Sequence, residues 1–400
     1  MKFLFLNHNL IWRGTFFRCL GFARELVKLG HEVELWTCSR EPERRGRMED
    51  IDGVRIWQTP RWSRLGSHDG GYAPVDNLAR MLSIPTKSYD VIHAFDHRPN
   101  VILPWFIQKQ LVNLTGKKSL FVSDWCDWWT AGGITTSRRP FAIIDRWEQK
   151  IEEGSKRASD GVTVISSVLY ERARRCGIPH DRLLVLPAGV QLEKFPVLDK
   201  ASCRQQFGLP RDKMILGFIG FSLWDLELLA DAFALIHAQY PQTVLLVIGG
   251  GVEESAKNIF HHRFRVGENV IMPGVIPFEQ VPAYLCACDI QLLPMQDNLA
   301  NQARIPNKLT DYYASGRAVV VSHVGDTGRY VQDQQTGITA GTDAGSFAQS
   351  VVQLIHNRKY CLEAGVRARS LAENEYSYSI LTKKLMQFYT SLISNANLQI

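Results

Sequence analysis

Short apolar runs alternate with stretches that repeat at helical spacing from the first residues onward, the pattern of parallel strands joined by covering helices. Lys2 to Leu6 reads as a buried strand and Asn7 to Thr15 as a loop. Phe16, Leu20, Ala23 and Val27 then recur at helical spacing until Gly30 ends the helix, and Val33 to Thr37 is the next strand. Val54 to Trp57, Val91 to Ala94, Leu120 to Ser123, Gly161 to Ile165 and Leu183 to Leu186 continue the series, each behind a polar or Gly/Pro-marked break. The pattern restarts at Ile215 to Ile219, followed by a helix with Leu226, Leu229, Ala230 and Phe233 on one face. The strands Val244 to Ile248, Val270 to Met272, Ile290 to Leu293 and Ala318 to Ser322 follow. Between the halves, Pro187-Ala188-Gly189-Val190 and a polar stretch with Pro196 mark a hinge.

The fold class expected is therefore α/β, with two Rossmann-like doubly wound parallel-sheet domains facing across a cleft. The boundaries fall at 1–188 and 189–378, with a closing helix over 379–400. That helix carries Leu381, Leu385, Phe388 and Leu392 on one face and is expected to pack back across the cleft. A chain of 400 residues is too long for one ordinary core.

Composition narrows the setting. No apolar run approaches the ~20 residues that span a bilayer, so the location expected is cytoplasmic, free or at the inner face of the membrane. The eight cysteines are scattered without the paired spacing of a zinc site, which favours reduced, mostly buried thiols. Residues 1–190 carry 28 Lys+Arg against 21 Asp+Glu, and 191–400 carry 18 against 19. A basic first half attracts an anionic acceptor or a membrane surface. Nucleic acid is not expected, because the aromatics interleave with strand patterns more than with basic runs.

The most informative segment is IPNKLTDYYASG, residues 305–316. Lys308 at a helix start adds a cation where free N–H groups already favour phosphate, and Asp311 lies one turn on along the same face, placed to accept from ribose hydroxyls. A plain surface Lys–Asp pair would read the same in isolation. Gly249-Gly250-Gly251 follows a strand but lacks dinucleotide spacing, with Glu253 and Glu254 where a pyrophosphate would lie, which argues against a dehydrogenase. Gly14 with Thr15 sits at a loop-to-helix junction, flanked by Arg13 and Arg18. Ser123 to Gly133, SDWCDWWTAGG, concentrates three tryptophans with Asp124 and Asp127 beyond a strand. Exposed aromatics stack on sugar faces and carboxylates orient hydroxyls or accept protons, although core packing explains the tryptophans equally well. His93, Asp96 and His97 form a second polar cluster.

The IPNKLTDYYASG segment, together with GHEVELWT, DGVTVIS, LPAGVQLEKF, NVIMPGVIP and ASGRAVVVS, resembles family 4 of the GT-B glycosyltransferases along nearly the whole chain. The resemblance implies retaining transfer from a nucleoside-diphosphate sugar to a glycan or lipid-linked acceptor, with front-side attack assisted by the leaving phosphate. No cofactor or metal is required, since the nucleotide-sugar is a substrate. In that family a glutamate at the position of Asp311 holds the donor ribose. Members commonly carry another glutamate where this chain has Ala303, and many carry an Arg–Lys pair on the loop where it has Gly220 to Trp224. Arg304 and Lys308 are the cations expected on the diphosphate instead. Gly14, Thr15, Ser222, Val275 and Asn307 complete the expected donor contacts. Where members place a catalytic histidine this chain has Ser123 and Asp124, so Asp124, Asp127 and His93 are the catalytic candidates. A catalytically degraded sugar-nucleotide-binding homologue and a sugar-nucleotide epimerase on the same fold are the alternatives.

Overall fold

The computed structural model describes residues 1–41, 44–61, 71–115, 119–136, 141–220, 223–249 and 254–395, and the statements below concern these. They divide into two compact units, Met1–Gly189 with Tyr378–Ile400, and Val190–Ser377.

In the first unit the strands are β1 (Lys2–Leu10), β2 (Glu32–Cys38), β3 (Arg47–Ile51), β4 (Val54–Thr59), β5 (Val91–Phe95), β6 (Leu120–Trp125), β7 (Gly161–Val164) and β8 (Leu183–Val185). The connecting helices are α1 (Thr15–Lys28), α2 (Pro74–Ser83), α3 (Pro99–Thr115), α4 (Ala142–Ala158) and α5 (Ser167–Arg175). The sheet order is β3-β4-β2-β1-β5-β6-β7-β8, parallel throughout except for β3 against β4. Successive side chains of β1 serve opposite faces. Phe3 and Phe5 pack with Phe16, Phe22 and Leu26 of α1, whereas Leu4 and Leu6 pack with Trp36, Ile92, Trp105 and Phe121. Both faces being covered explains the unbroken apolar run.

The chain's last helix, Tyr378–Asn395, belongs to this first unit, and its Leu381, Leu385, Phe388 and Leu392 join the same core as α1. Contact with α1 is close enough that a Cβ on Gly21 would lie 2.3 Å from the Tyr378 ring.

The second unit contains α6 (Lys200–Gln206), β9 (Met214–Ile219), α7 (Leu223–Gln239), β10 (Thr243–Ile248), α8 (Glu254–His261), β11 (Val270–Gly274) and α9 (Val281–Ala287). It continues with β12 (Ile290–Leu293), α10 (Leu299–Ala303), α11 (Asn307–Ala314), β13 (Ala318–Ser322), α12 (Gly325–Asp333), β14 (Gly337–Ala340), α13 (Ala344–His356) and α14 (Arg358–Asn374). Its sheet is all parallel in the order β11-β10-β9-β12-β13-β14, the doubly wound order of a dinucleotide-type fold. The expected face of α7, with Leu226, Leu229, Ala230 and Phe233, is buried against Leu216, Phe218, Leu245 and Val247.

Three elements differ from the sequence reading. β1 runs on through the polar residues to Leu10, because Asn7 donates to Thr37 Oγ1 at 3.0 Å and pairs as a strand residue with Phe95. β3 is mostly exposed and lacks an apolar alternation, and β14 has four residues, so neither gives a periodic signal. Among the eight cysteines none forms a disulfide, and all but Cys176 and Cys361 are buried. Gly21→Ala should cost about 1–3 kcal/mol by overpacking the Tyr378 ring, measured by urea unfolding.

Candidate functional site

In the second unit the chain order reverses between β9 and β12, the place where open parallel sheets bind ligands outside their strand carboxyl ends. The two strands pair only at Ile290 with Leu216 and Gln291 with Gly217, then part. Tyr312, buried on α11, bridges the gap: its hydroxyl accepts from Ile219 N at 3.0 Å and donates to Leu292 O at 3.1 Å. The rim beyond consists of Gly220, Gly249 and Gly274, all at positive φ (144°, 79° and 75°). Gly249 N donates to Gly274 O and Gly220 N to Ile248 O. A rim without Cβ atoms lets a ligand approach backbone closely.

One turn of α11 supplies the charged groups. Its N-cap is Pro306, which provides no side-chain acceptor; Leu309 N turns back to Pro306 O at 2.9 Å, and among the described residues no side chain caps the rest of the first turn. Lys308 Nζ lies 3.7 Å from Asp225 Oδ2, 4.3 Å from the centre of the Phe218 ring, and 3.1 Å from where a Gly220 Cβ would stand. Burial lowers its pKa to about 8, with Asp225 opposing the shift and Arg304 adding to it. Asp311, half-buried one turn on, is raised to about 7 by burial. Arg304 is half-buried, and its Nε has no hydrogen-bond partner among the described residues. Asn307 is exposed at the helix start, Val275 is exposed beyond β11, and Ala303 is fully buried. Ser222 lies outside the described residues.

The first-unit candidates divide. Gly14 stands at the N-cap of α1 with φ 48°, and a Cβ there would meet Asn9 Nδ2 at 2.6 Å. Thr15 accepts from that same Asn9 Nδ2 at 3.4 Å. Asp124 is sealed inside the unit, where Arg18 grips it through Nε at 3.1 Å and Nη2 at 2.9 Å while also donating to Leu186 O and Pro187 O. Burial works against the charge on Asp124, but Arg18 outweighs it and holds the carboxyl below its usual range. His93 is equally buried, with Nδ1 2.6 Å from the Tyr389 hydroxyl and Nε2 3.2 Å from Thr163 Oγ1; burial drives it to about 3, so it is a neutral imidazole near pH 7. Both therefore tie β5, β6, β7 and the last helix together, and neither side chain reaches solvent. Asp127 is half-buried, 3.7 Å from Cys126 Sγ.

A cluster that includes the expected Asp96 and His97, joined by the unexpected His8, sits at the reversal between β1 and β5. Asp96, at φ 89°, has Oδ2 3.4 Å from His8 Nδ1 and Oδ1 2.7 Å from His97 Nδ1. His97 Nε2 is 3.5 Å from Glu148 Oε1, which accepts from Arg98 Nη1 and the Tyr72 hydroxyl, each at 2.6 Å. The Arg98 guanidinium lies 4.0 Å over the Trp129 ring. Burial opposes the Asp96 charge, but His8, His97 and Arg98 outweigh it; burial likewise lowers His8, to about 4, whereas on His97 the carboxylates of Asp96 and Glu148 prevail and raise its pKa. Left-handed backbone at a non-glycine residue is uncommon and concentrates at functional sites. The sequence gives Asp96 and His97 as neighbours, but His8 falls in the stretch read as loop.

Asp124→Ala should destabilise the protein by about 3–5 kcal/mol, because it leaves the Arg18 guanidinium buried without its partner; chemical unfolding of the variant measures this.

Two family models match: "Glycosyl transferase 4-like domain" over residues 14–189 and "Glycosyl transferases group 1" over 213–357. Among curated proteins, D-inositol 3-phosphate glycosyltransferase 2 of Catenulispora acidiphila is 29% identical over 197 residues, 46% of this chain and 45% of that protein. The GDP-mannose-dependent alpha-(1-6)-phosphatidylinositol monomannoside mannosyltransferase of Mycolicibacterium smegmatis is 25% identical over 227 residues, 55% of this chain and 59% of its own. The matches thus span about half the length of these relatives. Among solved structures, sucrose-phosphate synthase from Thermosynechococcus elongatus superposes with a TM-score of 0.77 at 18% identity, covering 98% of this chain and 99% of that one, a likeness of fold. The two parallel-sheet units, their order and these matches agree, and the chain belongs to the group 1 glycosyltransferases, with the GT-B fold.

Proposed function

We propose that the protein transfers a sugar, of hexosyl type and with retention, from a nucleoside-diphosphate donor to a glycan or lipid-linked acceptor. The observation that carries this reading is the convergence of the Lys308 ammonium, the uncapped start of α11 and the Asp311 carboxylate at the chain reversal of the second sheet. The diphosphate takes the cations and N–H groups, and Asp311 accepts from the ribose hydroxyls. Transfer breaks the bond from the anomeric carbon to the diphosphate oxygen. The acceptor hydroxyl oxygen bonds to the same face, and its proton passes to the departing phosphate. Stabilising that departing charge is the main electrostatic task, which falls to Lys308, Arg304 and α11. The relative named for GDP-mannose and a phosphatidylinositol-linked acceptor supports both halves of the reading.

The acceptor is assigned to the first unit, on the side of the buried His8–Asp96–His97 cluster, with the half-buried Asp127 beyond β6 as the more accessible carboxylate. No metal enters the proposal, and turnover is expected to be the same with magnesium or with EDTA. The protein is assigned to the cytoplasm; no helix among the described residues is long and apolar enough to cross a membrane. A degraded homologue that binds donor without transferring it is the second reading, favoured by the buried Ala303 where a carboxylate is common.

A panel of UDP-, GDP- and ADP-sugars tests the donor site by thermal shift. One of them should stabilise the wild type by ~2.7 kcal/mol at a hundredfold excess over its dissociation constant, and Lys308→Ala should abolish the shift. No shift with any donor from folded protein would refute the site, and a shift without turnover selects the degraded homologue.

Binding should also peak between pH 7 and 8. Asp311 must be ionised, above about 7, while Lys308 must keep its proton, below about 8. Titration calorimetry across pH 6–9 should show affinity falling on both sides, with the acid limb absent in Asp311→Asn. Because the folded-state carboxyl pKa is raised, its stability contribution is lost as pH rises through 7. Asp311→Asn should therefore melt at a higher temperature than the wild type at pH 8.

A further inference from the structure

Helix α4 is built inside out. Its buried face is polar: Asp145, Glu148, Glu152, Ser155 and Lys156. Each charge there is met. Asp145 accepts from Ala131 N and Thr136 Oγ1, both at 3.1 Å, and Glu152 accepts from Trp125 Nε1 at 2.8 Å and Arg172 Nη2 at 3.2 Å. Lys156 donates to Ser123 Oγ at 2.7 Å and Asp124 O at 2.6 Å, and Glu148 holds Arg98 and Tyr72.

The outer face carries what a core would normally take. Ile143 is 74% exposed and Trp147 64%, and Phe141 at the N-cap is 66% exposed. Ile143, Arg146, Trp147, Lys150 and Arg157 follow helical spacing along one side. Every exposed charged residue of α4 is basic: Arg146, Lys150 and Arg157. Aromatic side chains settle at the level of lipid headgroups, and cations beside them are drawn to anionic lipid. An acidic, apolar-grooved protein would also suit the apolar residues. The overall basic first half, with Arg146 and Lys150 exposed beside Ile143 and Trp147, favours a surface of uniform negative charge.

We infer that the outer face of α4 docks this protein on an anionic bilayer, with Phe141, Ile143 and Trp147 entering the headgroup region and Arg146 and Lys150 meeting lipid phosphates. That the docking serves a lipid-linked acceptor rests on the transferase reading above; the docking itself does not. Glu148 on the inner face fixes Arg98 and lies beside His97, so the same helix joins the bilayer contact to the acceptor-side cluster.

The test is co-sedimentation of the full chain with vesicles of phosphatidylcholine alone or mixed with phosphatidylglycerol. Wild type should bind the mixed vesicles more tightly, and less so as salt rises. Arg146→Gln with Lys150→Gln should weaken that binding about 25-fold, at about fivefold per cation. Ile143→Ser with Trp147→Ser should weaken it at least about tenfold. All these side chains are exposed, and unchanged melting temperatures and donor-induced shifts in both variants confirm intact folding. Failure of wild type to bind mixed vesicles, or equal binding by the variants, overturns the inference. So does self-association without lipid that Ile143→Ser with Trp147→Ser abolishes, since the occupant is then a second copy. Vesicle binding without any donor shift would sink the transferase reading and leave the docking standing.

Discussion

The chain reversal between β9 and β12 is the constraint on which the site depends. β9 and β12 send their onward connections to opposite sides of the sheet, and their pairing stops after Gly217 and Gln291. The opened backbone groups would be costly to leave buried without partners. Tyr312 answers both, accepting from Ile219 N and donating to Leu292 O, and in doing so it fixes α11 over the gap. Lys308 and Asp311 precede it on the same helix, so the brace that closes the sheet also aims the charged groups. Their burial explains why their pKa values move toward one another, to about 8 and about 7. Such convergence marks groups arranged for a ligand more than for stability.

The first unit solves a different problem with similar means. Its sheet is covered on both faces, yet charges lie within it, and each is held by an opposite charge or a hydrogen bond. Arg18 and Asp124 join β6 to the segment after β8, while His93 ties β5 to the last helix through Tyr389. Removing either partner of a buried pair exposes the cost of the other. These residues keep the unit's end in shape, and Asp96, at positive φ, lies with His8 and His97 at the chain reversal of the same sheet.

Much of this was legible in the sequence. The strands Ile290–Leu293 and Ala318–Ser322 match their expected bounds, because buried parallel strands are unbroken apolar runs flanked by turn residues. The helix ending near Gly30 was equally plain. Chemistry was harder to read. Asp124 looks catalytic by type and by its place near a strand end, and His93 by type alone; only their burial against Arg18, Thr163 and Tyr389 shows what they hold. His8 was hidden because β1 continues through Asn7, His8 and Asn9, polar residues satisfied by tertiary partners that no local pattern records. The inverted polarity of α4 was invisible for the same reason: periodicity marks two faces but not which one turns inward.

The most direct test of the donor site is a co-crystal structure with the nucleoside diphosphate that the protein binds. The account predicts the diphosphate at the start of α11 within hydrogen-bond reach of Lys308 Nζ, with the ribose hydroxyls on the Asp311 carboxylate. A nucleotide bound elsewhere, for instance among Lys200, Arg211 and Arg317 at the opposite ends of the strands, would contradict it.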